Sequence, residues 1–415
     1  MESSVDSDRR PIGAPVQTPA LGWAARRQWL LIAAVQVMAL SVWFSATSVV
    51  PSLTIEWRIS SAAAVWLTAS VQIGFAIGAI VSAVANLADR IRPQVLLGVS
   101  ACGTAGLTLA FAWFAEGLTT AMILRFFTGV LLAGVYPVGM KLMASWSTSA
   151  NRGTSFGLLI GALTVGSILP HLINGIETLP WKSVMTVAAC VAAAGGLLSV
   201  LFLRPGPGAG SGRVQANPRY IWQMFKNRES RLANIGYFGH MWELYALWAW
   251  VGTFLVSSVN EHQRAISSSA SSATIFVTIG IFGLLGCLVG GWLADKIGRA
   301  MTAGMALAIS GTCCLLSPLA FDAAWAVLVL FLAIWGAAVI ADSGVFSTML
   351  SETVDSRYVG TALTAQTAIG FLLTVVTIQI VPIIADAVGW RYAFLVLLAG
   401  PLMGVAAMRG LRSIF

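Results

Sequence analysis

The feature that most restricts this chain is a succession of apolar runs, each about 20 residues long and each closed by a short polar segment. A run of that length spans the ~30 Å hydrocarbon layer of a bilayer as a helix. Twelve such runs are counted, at residues 28–50, 62–85, 94–115, 119–146, 153–175, 181–203, 233–258, 268–292, 300–320, 323–350, 359–385 and 390–410. The longest interval between them, 204–232, holds Pro-Gly-Pro-Gly and then Arg213, Arg219, Lys226, Arg228 and Arg231. This interval separates two sets of six. The expected organisation is an all-α membrane protein: a tail at 1–27, six helices over 28–203, a linker at 204–232 and six more helices within 233–415.

Composition excludes the soluble alternative. Of the 415 residues, 58% are hydrophobic and 10% charged, against about 25% charged in soluble domains. The net charge of +8 fits basic cytoplasmic loops rather than a nucleic-acid partner. The tail carries Pro11, Pro15, Pro19, Arg9, Arg10, Arg26 and Arg27, a composition expected to be disordered. The first apolar run is longer than the core of a signal peptide and is expected to stay as a helix. All five cysteines (Cys102, Cys190, Cys287, Cys313, Cys314) fall inside apolar runs. None has zinc-ligand spacing, so they read as core residues. No metal site and no cofactor is expected.

The cations set an orientation. With both ends inside, the inner segments collect the tail arginines, Arg90, Arg92, Arg152, the linker cations, Lys296, Arg299, Arg357, Arg409 and Arg412. The outer loops keep Arg58, Lys182, Arg264 and Arg391. This asymmetry predicts a multi-pass protein of the inner or plasma membrane with both termini cytoplasmic.

One loop is distinctive: Gly291-Trp292-Leu293-Ala294-Asp295-Lys296-Ile297-Gly298-Arg299, between runs eight and nine, where the glycines allow the backbone to turn tightly. A worn copy, Asn86-Leu87-Ala88-Asp89-Arg90-Ile91-Arg92-Pro93, lies about 206 residues earlier between runs two and three. Two copies at equivalent places point to a duplicated membrane protein. Twelve helices in two sets of six, a basic linker and this repeated loop resemble the major facilitator superfamily. That family's loop reads roughly Gly-x-x-x-Asp-Arg/Lys-x-Gly-Arg, and the second copy matches at Gly291, Asp295, Lys296, Gly298 and Arg299. The first copy keeps Asp89 and Arg90 but has Ala85, Arg92 and Pro93 at the other positions. The resemblance covers residues 28–412 and implies two pseudo-symmetric six-helix bundles, with helices one, four, seven and ten around a central cavity. In physical terms, a carboxylate near a helix N-terminus is favoured by the dipole and by free amide donors. Neighbouring cations can then bridge to the other half, so the loops read as gates; the plainer reading is that they cap helices and set topology.

Ionised groups at bilayer depth are rare, because each costs at least about 2.5 kcal/mol on insertion scales. Arg125 lies ~9 Å into the fourth helix and Glu243 ~15 Å into the seventh, at 1.5 Å per residue. Arg125 through Gly129 also looks like the family's fourth-helix Arg-x-x-x-Gly pattern, whose arginine the resemblance links to proton coupling or substrate binding. His240 and Trp250 stand three before and seven after Glu243, which places all three on one helical face. Gln36 and Trp43 repeat the seven-residue spacing in the first helix. A carboxyl withdrawn from water holds its proton more readily, which suits a group that takes and releases one per cycle. Glu243, with His240 and Arg125, is therefore the expected proton-coupling set. The expected cavity set is Arg125, Gln36, Trp43, Glu243 and Trp250. Packing alternatives stand beside each: an arginine held by backbone carbonyls, and a Glu243 hydrogen-bonded to His240. Asp342, deep in the tenth helix, reads as a cap or gate.

These features together describe a secondary transporter of a small organic solute, anionic on the strength of Arg125, working by alternating access with a proton or other coupling ion. Leu169-Pro170 and Asn174-Gly175 replace the Gly-Pro and Gly-Gly pairs typical of the family's antiporters. Proton-driven efflux of hydrophobic compounds is the alternative within the class, and a passive channel or sensor the alternative outside it. No nucleophile–base motif indicates an enzyme. The expected partners are the solute, the coupling ion and the bilayer, with the chain a monomer.

Overall fold

The structure is a computed structural model that describes residues 22–85, 87–148, 151–176, 179–207, 220–355 and 359–412. Most of the tail (1–21), the middle of the linker (208–219) and Arg357 lie outside the described residues.

Among the described residues, ten helices have the length and apolarity to cross a bilayer. They are spans two to six (Ala63–Val84, Pro93–Phe114, Leu118–Ser145, Arg152–Ile173, Trp181–Phe202) and spans eight to twelve (Ser268–Ile297, Arg299–Asp322, Trp325–Thr353, Thr361–Val388, Trp390–Arg412). The two remaining spans carry more polar character. Span one is Trp23–Leu40, a turn at 41–44, and the short helices Ser45–Ser48 and Val50–Glu56. Span seven is one 34-residue helix, Arg228–Glu261, capped by the Asn227 side chain accepting from Glu229 N–H. Together they make the twelve-span, two-bundle architecture. Leu197, Phe202, Leu315, Leu319, Val327 and Ile383 lie exposed, the apolar outer surface that lipid requires.

Small residues bring the spans together, since lipid tails supply no hydrophobic drive between helices. In the N-terminal half Gly74, Gly78 and Gly129 let spans two and four touch backbone to backbone. In the C-terminal half Gly286 and Gly290 do the same against Ala337 and Ala341 of span ten. The halves meet where span five lies on span eight and span two on span eleven. The first of these contacts runs from Gly153 on Gly291, near the face that carries both termini, through Gly161 on Leu284 to Gly280 near Ile168. The halves therefore touch on both sides of the midplane.

Spans one, four and ten are broken, at 41–44, 133–135 and 341–342. In span four, Pro137 begins the second segment, Tyr136–Ser145, where its missing N–H costs least. Span eight carries a π-turn at Phe276–Ile281, beside the contact with span five. Gly298, at φ +92°, turns the chain from span eight into span nine, as the sequence predicts for a glycine there. Gly291 differs from that expectation: it sits inside the helix and is needed for close approach rather than for a turn.

Gly129→Val is expected to lower thermal stability by about 1–3 kcal/mol, the usual cost of overpacking, because a Cβ there meets the Phe75 nitrogen at 2.8 Å. Gly106→Ala, with open space around it, is expected to leave melting unchanged; equal melting temperatures for the two variants would contradict the packing described.

Candidate transport pathway and gates

The break in span one interrupts the regular ladder: the Val42 carbonyl takes Ser45 N–H at 3.4 Å and Ser45 Oγ at 2.8 Å in place of a continuous helix's partner. Arg125 of span four, 1% exposed, donates from Nη1 to the Val42 carbonyl at 2.9 Å and from Nη2 to the Trp43 carbonyl. Nη1 also lies 3.5 Å from Ser45 Oγ. An amide or carbonyl buried in lipid without a partner costs several kcal/mol, so this arginine makes the break tenable. Its Nε has no hydrogen-bond partner. The sequence paired Arg125 with Glu243, and the structure does not: each is enclosed by its own half. Gln36 donates to the Val135 carbonyl at 3.1 Å, which also accepts Gly139 N–H at 2.9 Å, and so ties span one to the point where span four resumes.

Held at that break, the Trp43 side chain reaches across to the other half. Its ring lies 5.0 Å from Phe75, 5.5 Å from Phe371 and 6.0 Å from Tyr245. Phe44 contacts Tyr245 and Trp248 at 6.1 and 5.9 Å, and Phe75 meets Phe371 at 4.3 Å. Spans one and two of one half and spans seven and eleven of the other thus share one aromatic cluster. The indole N–H groups of Trp43 and Trp248 are buried there without acceptors. So is the amide of Gln72, one helical turn from Phe75 in span two. Buried donors of this kind are uncommon, and each unsatisfied group costs about 1–3 kcal/mol.

The expected common face of span seven is split among different partners. Glu243 accepts at Oε1 from Trp335 Nε1 (2.6 Å) and from Cys314 Sγ (3.4 Å), and at Oε2 from Ser310 Oγ (2.9 Å). Ser310 and Cys314 belong to span nine and Trp335 to span ten. His240 does not bond Glu243. Its Nδ1 is 2.9 Å from Asp342 Oδ1 and its Nε2 is 2.6 Å from Ser343 Oγ. The Nδ1–Oδ1 approach is a close contact of the two groups in which Asp342 Oδ1 gains no aligned hydrogen bond, while Nε2 can accept the Ser343 hydroxyl. Trp250 donates to the Ile378 carbonyl at 2.8 Å and its ring lies 5.4 Å from Trp390, so it packs on spans eleven and twelve of its own half. Asp342 as a partner of His240 was not legible in the sequence, whereas Ser310 and Cys314, four residues apart, already mark a polar stripe on span nine.

At the loop, Asp295 does what a carboxylate near a helix start should do, but across the interface. Its Oδ2 accepts from Thr154 N–H at 3.1 Å and from Thr154 Oγ1 at 3.3 Å, in the first turn of span five. The bridging cation expected from the sequence stays at home: Arg299 pairs with Glu352 at the end of span ten. Lys296 is exposed. In the worn copy Arg90 is exposed and ends the short helix Leu87–Arg90, while the Asp89 side chain lies outside the description. On the opposite face Asp322 pairs with Arg391 and lies 3.6 Å from His262 Nε2.

A sequence profile described as Major Facilitator Superfamily matches residues 32–378. The chain belongs to the major facilitator superfamily. It is 25% identical over 353 residues to a gallate transporter of Pseudomonas putida, covering 73% of this chain and 74% of that protein. It is 26% identical over 340 residues to a cis,cis-muconate transport protein of Acinetobacter baylyi, covering 75% and 76%. A solved proton:xylose symporter superposes with a TM-score of 0.72 at 14% identity, covering 94% of this chain and 96% of that one, which shows a common fold. For a member of this superfamily, the arginine of span four and the loop at Gly291–Arg299 are thus accounted for by contacts: one holds a broken helix, the other caps span five.

Arg125→Lys is expected to destabilise the protein, since one ammonium cannot satisfy two diverging carbonyls as a guanidinium fork does; the loss in a thermal melt should be about 1–3 kcal/mol. Asp295→Ala removes a cap between the halves and is expected to cost on the order of 1 kcal/mol, read as increased maleimide labelling of a cysteine placed at Ala294; unchanged labelling would remove Asp295 from the gate.

Proposed function

We propose that this member of the superfamily is a proton-coupled transporter of small organic acids with planar, unsaturated frames. The observation that carries the reading is the aromatic cluster shared between the halves, with its unpartnered indole N–H groups at Trp43 and Trp248. These rings pack directly on one another across the halves, and when the halves part each offers a face on which a flat solute stacks. Buried N–H donors without acceptors ask for a solute that brings acceptors, as a carboxylate does. Arg125, bonded to the Trp43 carbonyl, holds that indole in place and sets a positive charge beside it, which favours an anion. The relatives named for gallate and cis,cis-muconate are named for flat carboxylates of this kind. An efflux pump for hydrophobic compounds would leave the indole donors without use.

Coupling to protons is inferred because the C-terminal half buries ionisable groups at membrane depth, the neighbouring His240 and Asp342 among them, and such groups are usually functional. Two halves, 28–203 and 233–415, rock about the cluster, and Asp295 on Thr154 stabilises the closed face that carries the termini. The excess of arginine and lysine on that face supports a cytoplasmic location for it.

In proteoliposomes, labelled gallate and cis,cis-muconate are expected to accumulate under an inward acid gradient, and a protonophore should abolish the accumulation. Trp43→Leu should raise the KM for gallate about 10-fold or more, the worth of one hydrogen bond to a charged group. Failure of both acids to bind, together with proton-linked export of hydrophobic cations, would overturn the reading.

A further inference from the structure

Three acidic or basic side chains are buried in the C-terminal half, and their surroundings divide them. Glu243 has both carboxylate oxygens occupied by donors, one of them an indole N–H that can only donate. Two of its three partners lie on span nine, which packs against spans eight, ten and twelve of the same half. The ionised carboxylate is thus fully served by its own bundle. The His240–Asp342–Ser343 group is placed differently. It sits at the break of span ten, whose neighbours Ile340, Ala341 and Gly344 line a small cavity with Gly153, Gly157 and Ile160 of span five. That cavity lies between the halves.

We infer that the coupling proton resides on the His240–Asp342 pair, relayed by Ser343, and that Glu243 is a fixed structural carboxylate. The inference rests on the proton-coupled reading above. Without the extra proton, neutral His240 rests with Nδ1 2.9 Å from Asp342 Oδ1 and Nε2 accepts the Ser343 hydroxyl hydrogen, so the pair carries one negative charge. An arriving proton bonds to Nε2. Nε2–H then donates to Ser343 Oγ, whose own O–H rotates to another acceptor, and the pair is a neutral imidazolium–carboxylate. Release from Nε2 to the other side restores the starting state, so one proton enters and one leaves. An uncompensated charge at the interface is costly and repels an organic anion. The neutral pair does neither, which ties anion movement to proton movement in the same direction. The other titratable groups facing the pair are Tyr237 and Glu243 of span seven and Cys287 of span eight, with Tyr136 of span four beyond them. The break itself supplies freedom to move, because residues 341–342 are outside regular helix.

The test needs no solute. Infrared titration of the purified full-length protein is expected to show a change of the imidazole and carboxyl bands with pH that Asp342→Asn and His240→Gln both remove. Glu243→Gln, which deletes the competing carboxyl, is expected to leave those bands titrating while lowering the melting temperature. Titration that persists in Asp342→Asn, or that vanishes in Glu243→Gln instead, overturns the assignment. In proteoliposomes with labelled gallate, Asp342→Asn is expected to lose gradient-driven accumulation at least 10-fold yet retain gallate counterflow; accumulation at the wild-type level overturns the inference. Wild-type gallate accumulation indifferent to the pH gradient overturns the coupled-transport reading on which the assignment rests.

Discussion

A helix crossing lipid has to satisfy every backbone group it frees, and this molecule frees several on purpose. Three of its spans are broken near the middle of the bilayer. Arg125 donates to the Val42 and Trp43 carbonyls at the break of span one, Gln36 adds a second donor to the Val135 carbonyl where span four resumes, and His240 engages Asp342 and Ser343 at span ten. Polar side chains inside an otherwise apolar bundle are thereby explained first as supports for irregular backbone. Their functional roles grow from those positions.

The duplication makes the arrangement intelligible. Val135 and Asp342 are 207 residues apart and Gln36 and His240 are 204 apart, so the two supporting side chains differ by about one helical turn in their halves. In each half, a polar residue of the first helix addresses the break in the fourth. The N-terminal half uses a neutral amide on a carbonyl, and the C-terminal half uses an imidazole on a carboxylate. One half places a neutral amide at this position, whereas the other places a base beside an acid. The aromatic cluster joins them: Trp43, held from behind by Arg125, touches Tyr245 and Phe371 of the other half. A solute entering there would separate the halves at their most intimate side-chain contact.

Glycine and alanine decide how close the halves come. Gly153, Gly157 and Gly291 let backbone meet backbone between spans five and eight, and Asp295 then reaches the first turn of span five. The charged loop and the small-residue stripe are one device, since the carboxylate caps span five only while the two helices are in contact.

Much was legible in the sequence, for a reason rooted in the solvent. Lipid admits few backbone solutions, so runs of about 20 apolar residues declare helices, and a costly charge such as Arg125 or Glu243 declares itself by position. The repeated loop declared the duplication, and Gly298 its turn. What the sequence could not decide was which buried polar group meets which. Glu243 and His240 share a helix face, yet a small difference in direction sends one to span nine and the other to the break of span ten. For Arg125 the sequence left open a carboxylate or backbone carbonyls, and the structure gives it the Val42 and Trp43 carbonyls at the break of span one. Helices and their order follow from local chemistry and the bilayer; partners follow from rotation and register between helices more than a hundred residues apart, and only the packed structure sets those.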